Sequence, residues 1–451
     1  MERFCLVALV ALACAACAGG PPHRGSDGVS SLVAARGLLD LTWTRGDAAR
    51  LPSPTGPVSR ADAIKLAFAN NAEVRELYAR LGIASADVIE ASRLANPRLS
   101  YVDLRPEGGG LSQITRSVSI DFTNALLLPS RARLARAEFQ RSQEVVADAL
   151  LGLSARVEEA WFNAVSAQQV AALRELAATA GDASSEMAKR LYDAGNLSPK
   201  AFALEGAAAS EQRVAAARAK AGATRARETL AGLMGLSTRD GWQVPDRLPA
   251  LSSPADLDEA ALLKVAETQR LDLSAARREV ANEQDLAGMT HRWRWLGAIE
   301  AGYERETDTD GSRLRGPTLE LRLPLFNQNQ SGVMRAEAQA ERAQARLSEL
   351  ELQVKNDVAR GLDQLSSTRE IAEAYRTAVL PQRELLVNST QEEHNYMLVG
   401  VFELLQARRS QIDASESYVE AVRDYWLART DLRKSVGGAL PGERSFDGEA
   451  Q

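Results

Sequence analysis

Few residues in this chain are of a type and spacing that could do chemistry. The sequence holds three histidines, His23, His291 and His394, and no two stand at a metal-ligand spacing. The run Glu107-Gly108-Gly109-Gly110 lacks the Lys-Ser/Thr that follows a phosphate-cradling loop, and no Gly-x-Ser-x-Gly elbow occurs. The acidic pairs Glu158-Glu159 and Glu392-Glu393 fall in helical patterns where neighbours point different ways, so both read as solvated faces. No acid/base pair stands out. The residues therefore predict no enzyme, no cofactor and no fixed metal site.

The three cysteines, Cys5, Cys14 and Cys17, all lie at the start of the chain. Met1-Glu2-Arg3 precedes an apolar run from Phe4 to Ala16, after which the chain turns Gly/Pro-rich. That reads as a signal peptide over 1–16. Ala15-Ala16-Cys17 resembles a lipobox, which makes Cys17 a lipidated N-terminus. Cys14, after Ala11-Leu12-Ala13, is the alternative, and ordinary cleavage after Ala13 or Ala18 stays open. Ala18 in place of an aspartate would send a lipoprotein on to the outer membrane. With Cys17 as the lipidated N-terminus, processing removes or lipidates every cysteine, which leaves no disulfide and no thiol ligand.

Beyond that leader, no segment approaches about 18 uninterrupted apolar residues, so a membrane span has to be made of strands. Over 451 residues, 25% are charged, 5% are aromatic and the net charge is −6. Basic stretches are interleaved with acidic ones, which argues against nucleic acid as a partner.

The elements that must position any site come in two matching runs, offset by roughly 200 residues. Ala67–Val74 corresponds to Ala266–Leu273, Leu128-Pro129 to Leu323-Pro324, and Leu191–Gly195 to Asn395–Gly400. Each half reads helix, strand, strand, very long helix, tight turn, helix. The long helices are predicted over 131–192 and 328–396, on the order of 90–100 Å each. Val146, Leu150, Leu153, Val157, Trp161 and Val165 carry the apolar period in one; Leu347, Leu350, Val354, Val358, Leu362 and Leu365 carry it in the other. Such lengths imply coiled-coil packing. Pro381 should bend or loosen its helix, with Gly181 at the matching place. Shorter helices are predicted over 60–95, 200–235, 256–292 and 402–437, with 200–235 stacked on 256–292 and 402–437 on 60–95. The domain reading is 17–58 as an extended N-terminal segment, 59–236 as the first repeat, 237–255 as linker, 256–437 as the second repeat and 438–451 as a disordered tail.

Four stretches alternate with a two-residue period: 98–105, 117–123, 298–304 and 318–323. Val118, Ile120 and Phe122 oppose Ser119 and Asp121; Ile299, Ala301 and Tyr303 oppose Glu300 and Glu304; Leu319, Leu321 and Leu323 oppose Thr318, Glu320 and Arg322. Pro106–Gly110 and Asp308–Ser312 supply the hairpin turns. An apolar face backed by a charged one suits a water-filled membrane barrel, with Ser119, Asp121, Glu300, Glu304, Glu320 and Arg322 towards the lumen. Two hairpins cannot close a barrel, and open edges cannot sit in lipid, so several copies must combine. Hairpins packed on a soluble core are the other reading of the same pattern.

Gly316-Pro317 through Leu321-Arg322-Leu323-Pro324-Leu325-Phe326-Asn327-Gln328-Asn329-Gln330, and Asn395-Tyr396-Met397-Leu398-Val399-Gly400-Val401-Phe402-Glu403-Leu404-Leu405-Gln406-Ala407, resemble the TolC-like outer-membrane efflux factor family. Tyr192–Ser198 resembles the equivalent turn of the first half. The phrasing is most similar to the outer components of heavy-metal efflux systems for copper or cobalt, zinc and cadmium. The resemblance implies a mainly α fold with a small membrane β-barrel: a homotrimer with a twelve-stranded barrel in the cell outer membrane and a helical tunnel through the periplasm. It implies two adaptor-facing tips, at Gly195, Asn196, Leu197 and Ser198 and at Val399, Gly400 and Val401. The implied partners are a periplasmic adaptor, an inner-membrane RND pump and outer-membrane lipid. Glu403 and Gln406 align with two rings at the periplasmic entrance, where the family carries carboxylates, so Gln406 is a departure. The implied function is a passive duct, with heavy-metal cations as cargo. The same duct carrying drugs or polypeptides, and a secreted coiled-coil scaffold without a pore, remain alternatives.

Overall fold

The computed structural model describes residues 25–37, 51–252 and 257–441. The predicted signal peptide, Cys14, Cys17 and the tail beyond 441 lie outside the described residues. In chain order the elements are α1 (Ser26–Ala34), β1 (Gly56–Pro57), α2 (Arg60–Asn70), α3 (Ala72–Ala91), β2 (Arg98–Leu104), β3 (Gln113–Asp121), α4 (Phe122–Asp193), α5 (Pro199–Met234) and β4 (Trp242–Gln243). The second run is α6 (Glu259–Gln269), α7 (Leu271–Arg292), β5 (Ile299–Thr307), β6 (Arg313–Leu321), α8 (Gln330–Ala374), a π-helical turn at Tyr375–Val379, α9 (Leu380–Asn395) and α10 (Val401–Val436). The duplication is explicit in this order, and α5 and α10 each run for 36 residues.

The chain divides into two compact units. The first gathers residues 25–29, 77–146 and 271–351 and holds the four-stranded antiparallel sheet, ordered β2-β3-β5-β6. Its helical part packs Leu273 and Val280 of α7 against Ala343 and Leu347 of α8. Buried Glu144 accepts from Ser274 and from Arg278, both at 2.8 Å. The second unit gathers 30–76, 147–270 and 352–441 so far as they are described. Its centre is aromatic: Phe162 stacks on Trp426 at 5.3 Å, with Trp161 and Tyr425 edge-on beside them.

The apolar stripe of α4 is buried as its spacing requires: Val146, Leu150, Leu153, Val157, Trp161 and Val165 are all at most 4% exposed. In α8 the residues Leu347, Val354, Val358 and Leu365 are buried. Near Pro381, the backbone N–H of Leu380 bonds to the Tyr375 carbonyl, five residues back. A proline has no N–H to give the carbonyl four residues earlier, and the π turn absorbs that gap. Gly181 behaves differently from Pro381, because α4 runs through it unbroken. A Cβ there would sit 3.4 Å from the Ala209 backbone, so this glycine serves close approach of α4 and α5.

Several expectations are corrected. The helices predicted over 60–95 and 256–292 are each broken in two, at Asn71 and Arg270, whose extended backbones cap the preceding segments. The stacking partners are also exchanged. The end of α5 abuts Asn70 and Asn71 in its own half, and the end of α10 abuts Arg270 in its own half. The cause is capping: Asn71 Nδ2 donates to the Leu233 carbonyl at 2.8 Å, and Arg270 donates to the Ser435 carbonyl at 3.2 Å. Both would otherwise be orphaned helix-end acceptors.

Leu128-Pro129 and Leu323-Pro324 do not play equivalent roles. Asp121 Oδ1 accepts the Asn124 N–H at 2.9 Å, so α4 starts at Phe122 and encloses Pro129. Pro324 lies in irregular chain ahead of α8. Within the segment expected to be extended, 26–34 is helical. Gly25 starts it at φ +87°, and a Cβ there would collide with Phe139 at 2.3 Å. The linker is firmly seated. Trp242 is fully buried under Arg227 at 4.6 Å, and Pro249 accepts from Trp426 Nε1 at 3.2 Å. Finally, Glu158 is no solvated residue: it is 1% exposed, with Arg60 at 3.0 Å and Arg433 against its other oxygen. The helical period put it beside Val157 and Trp161, on the buried arc.

Candidate functional site

The sheet carries the surface of greatest chemical interest. Its register aligns Asp121, Glu300 and Glu320 in one cross-strand row, Ser119 with Gly302 and Thr318 in the next, and Ser117 with Glu304 in a third. Five of the predicted lumen residues, Ser119, Asp121, Glu300, Glu304 and Glu320, therefore share one face. Arg322 falls one residue beyond β6, its N–H bonded to the Ala298 carbonyl at 2.9 Å. That close crossing requires Gly297, where a Cβ would lie 1.6 Å from the Arg322 carbonyl oxygen. Asp121 also caps α4, so its carboxylate is partly spoken for.

Two members of this face were missed from sequence. Glu306 continues the alternation past Glu304 and is hydrogen-bonded by Gln113. Arg98 meets Glu300 at 3.3 Å. Like charges directly opposite one another on adjacent strands repel, and water or cations in front of the face relieve that repulsion.

The opposite face is apolar in three successive rows: Ile299 with Leu321, Ile120 with Ala301 and Leu319, and Leu99 with Val118, Tyr303 and Pro317. Leu99, Val118, Ile120, Tyr303, Leu319 and Leu321 are all exposed. Nearer the hairpin turns the apolar face becomes basic. Tyr101, Arg116, Arg305 and Arg315 form the next row on this face, and Val102, Thr115, Glu306 and Leu314 lie behind them.

The two tips fold alike. After α4, Gly195 turns the chain at φ +78°, and Asn196 N–H bonds back to the Leu191 carbonyl at 2.8 Å. Ser198 then caps α5 by accepting the Ala201 N–H, and Leu197 lies between the two caps. After α9, Met397 takes the left-handed position at φ +59° and Leu398 N–H bonds to the Glu393 carbonyl at 2.9 Å. His394 Nδ1 holds the Val399 carbonyl at 3.1 Å, Gly400 is the N-cap and Val401 opens α10. Tyr396, Met397 and Leu398 are strongly exposed. Glu403 and Gln406 stand one turn apart in the start of α10, both exposed.

Further along the helices, Arg174 of α4 bridges Asp413 at 2.9 Å and also touches Glu416 of α10. Burial nevertheless pushes the Glu416 carboxyl above its ordinary range. Among the described residues no helix is long and apolar enough to cross a membrane, and no group of three or more His, Cys, Asp or Glu could hold a metal ion.

A duplicated chain of long helices with a four-stranded antiparallel sheet defines the fold class of outer-membrane efflux channels. The Campylobacter jejuni CmeC outer membrane channel matches with a TM-score of 0.72 at 14% identity, covering 91% of this chain and 93% of its own. CusC, whose structures describe transmembrane channel formation, matches with a TM-score of 0.68 at 16% identity, covering 88% and 99%. In sequence the chain is similar to the cobalt-zinc-cadmium resistance protein CzcC of Cupriavidus metallidurans, 24% identical over 388 residues, 85% of this chain and 90% of that protein. No protein-family model matches. The resemblance to the TolC-like outer-membrane efflux factors is borne out by these likenesses.

Proposed function

We propose that this protein is the outer-membrane duct of a tripartite efflux system. Three copies close a twelve-stranded barrel, and their helices wall a periplasmic tunnel. The observation that carries this is the sheet. It pairs an exposed apolar face with an acidic one, and its outer strands β2 and β6 have no further partner among the described residues. Open edges are untenable in lipid, and joining β6 of one copy to β2 of the next removes them. The number three comes from the family resemblance.

Asp121, Glu300, Glu304, Glu306, Glu320, Ser119 and Arg322 then face the lumen. The tips meet a periplasmic adaptor, which links the duct to an inner-membrane RND pump. Glu403 and Gln406 ring the entrance, and Cys17, or Cys14 in its place, carries the lipid anchor. The net acidic lumen and the likeness to CzcC both favour metal cations as cargo. A passive duct needs no catalytic group and no cofactor, since the pump supplies the energy.

Cross-linking tests the closure. Cysteines placed as a pair on β2 and β6, at Leu99 and Leu319, should give disulfide-linked trimers in outer-membrane fractions. Monomers only, under oxidation that links a control pair within one sheet, would sink the reading.

A further inference from the structure

The change from apolar to basic on the lipid-facing side of the sheet has a chemical meaning. Arg116, Arg305 and Arg315 lie directly opposite one another on β3, β5 and β6, on the same face as Val118, Tyr303 and Pro317 and two residues beyond them. All three are exposed. Directly opposed positions on neighbouring strands are about 4.5–5.5 Å apart, so three guanidinium groups crowd into one row at a cost in mutual repulsion. Among the strand residues of that face, Asp103 is the one carboxylate, and Arg105 engages it at 3.7 Å. Tyr101 completes the row, its ring beneath Arg116 at 5.7 Å. Arg313 adds a further positive charge in the next row towards the turn. In the hairpin beyond, Asp310 accepts the Ser312 N–H at 2.7 Å and Asp308 accepts the Thr309 N–H at 2.7 Å, so both are engaged within their own turn.

A lipid-facing position tolerates arginine only near the membrane interface, where the side chain reaches water and headgroups. The row begins where the apolar band ends, and on the inner face at the same level Val102 and Leu314 flank Thr115 and Glu306. We infer that the row of Arg116, Arg305 and Arg315 binds the phosphorylated headgroup of an anionic lipid at the hairpin-side rim of the barrel. Guanidinium forks match phosphate oxygens in geometry and remain charged at any working pH, and a shared anion removes the repulsion between them. The tyrosine ring at the same level suits the boundary between acyl chain and headgroup. This inference rests on the barrel reading.

Native mass spectrometry of the purified trimer tests it, with micelles doped in turn with bisphosphorylated lipid A, phosphatidylglycerol and phosphatidylcholine. The intact protein should retain the two anionic lipids and not the zwitterionic one. Replacing all three arginines (R116Q, R305Q, R315Q) should weaken retention by roughly a hundredfold, and each single substitution by about fivefold. The single variants decide the matter if the triple one fails to assemble. The triple lysine variant should keep the preference for anionic lipid. Equal retention of all three lipids, or retention unchanged in every glutamine variant, overturns the proposal. Vesicle insertion separates the two levels. A protein that inserts and conducts but shows no headgroup preference overturns this proposal alone; one that never inserts overturns the barrel reading and this proposal with it.

Discussion

Glu158 ties the two halves of the duplication together, and removing it should destabilise the second unit sharply. Its carboxylate is 1% exposed, with Arg60 at the start of α2 and Arg433 near the end of α10 on its two oxygens. Those arginine side chains are themselves only 16% and 13% exposed. Glu158→Ala deletes the negative charge that both arginines share in a poorly hydrated space. Removing one partner of such a buried pair costs about 3–5 kcal/mol. Residual water access at the two arginines places this site near about 3 kcal/mol. Glu158→Gln should cost less, because one amide oxygen still accepts. The triple replacement Arg60→Met, Glu158→Leu, Arg433→Met removes all three charges together and should recover most of the loss. Urea titration in detergent, followed by far-ultraviolet circular dichroism, reads these differences. A loss below about 1 kcal/mol for Glu158→Ala, or a triple variant less stable than the single one, would refute the reasoning.

Gly235 and Gly437 close the last helix of each half at φ +66° and +82°, and a Cβ at either would lie 2.8 Å from backbone at Asn70 or Arg270. Gly437→Ala should therefore cost about 1–3 kcal/mol in the same titration, well above an exposed Gly→Ala; a neutral result would mean that the helix end is free to withdraw. Burial raises the Glu416, Glu159 and Asp431 carboxyls above their ordinary range. A raised folded-state value means that the folded chain holds its proton more tightly than the unfolded chain does. The stability these groups contribute is complete below the unfolded values and lost as pH rises through the folded ones. Glu416→Gln should thus compare more favourably with wild type at neutral pH than in acid, and the opposite order in thermal melts would contradict the assignment.

Much of this architecture was legible in the residues, for identifiable reasons. The strands announced themselves because Val118, Ile120, Leu319 and Leu321 alternate with Ser119, Asp121 and Glu320, and the glycine- and aspartate-bearing turns between them admit one reading. The long helices were legible because a buried stripe such as Val146 to Val165 repeats every three to four residues. What escaped was set by contacts distant in sequence. Nothing local announces the breaks at Asn71 and Arg270, since each exists to cap a helix end lying far along the chain at Leu233 or Ser435. Glu158 looked like a surface acid because its partners, Arg60 and Arg433, are remote in sequence. The start of α4 at Phe122 was hidden by Leu128-Pro129, which mimics a helix opening, whereas Asp121 had already supplied the cap. The arginine row emerges only once register sets Arg116, Arg305 and Arg315 side by side.

The central claim, a cation-accepting duct closed by several copies, is tested most directly by current through the purified protein in a planar bilayer under a salt gradient. The account predicts open-channel conductance with cations preferred over anions. The combined change of Glu300, Glu304, Glu306 and Glu320 to glutamine should move the reversal potential most of the way towards the non-selective value. A protein that inserts yet passes no ions, both as wild type and as Glu403→Ala, would contradict the account, and so would a selectivity untouched by loss of the four carboxylates.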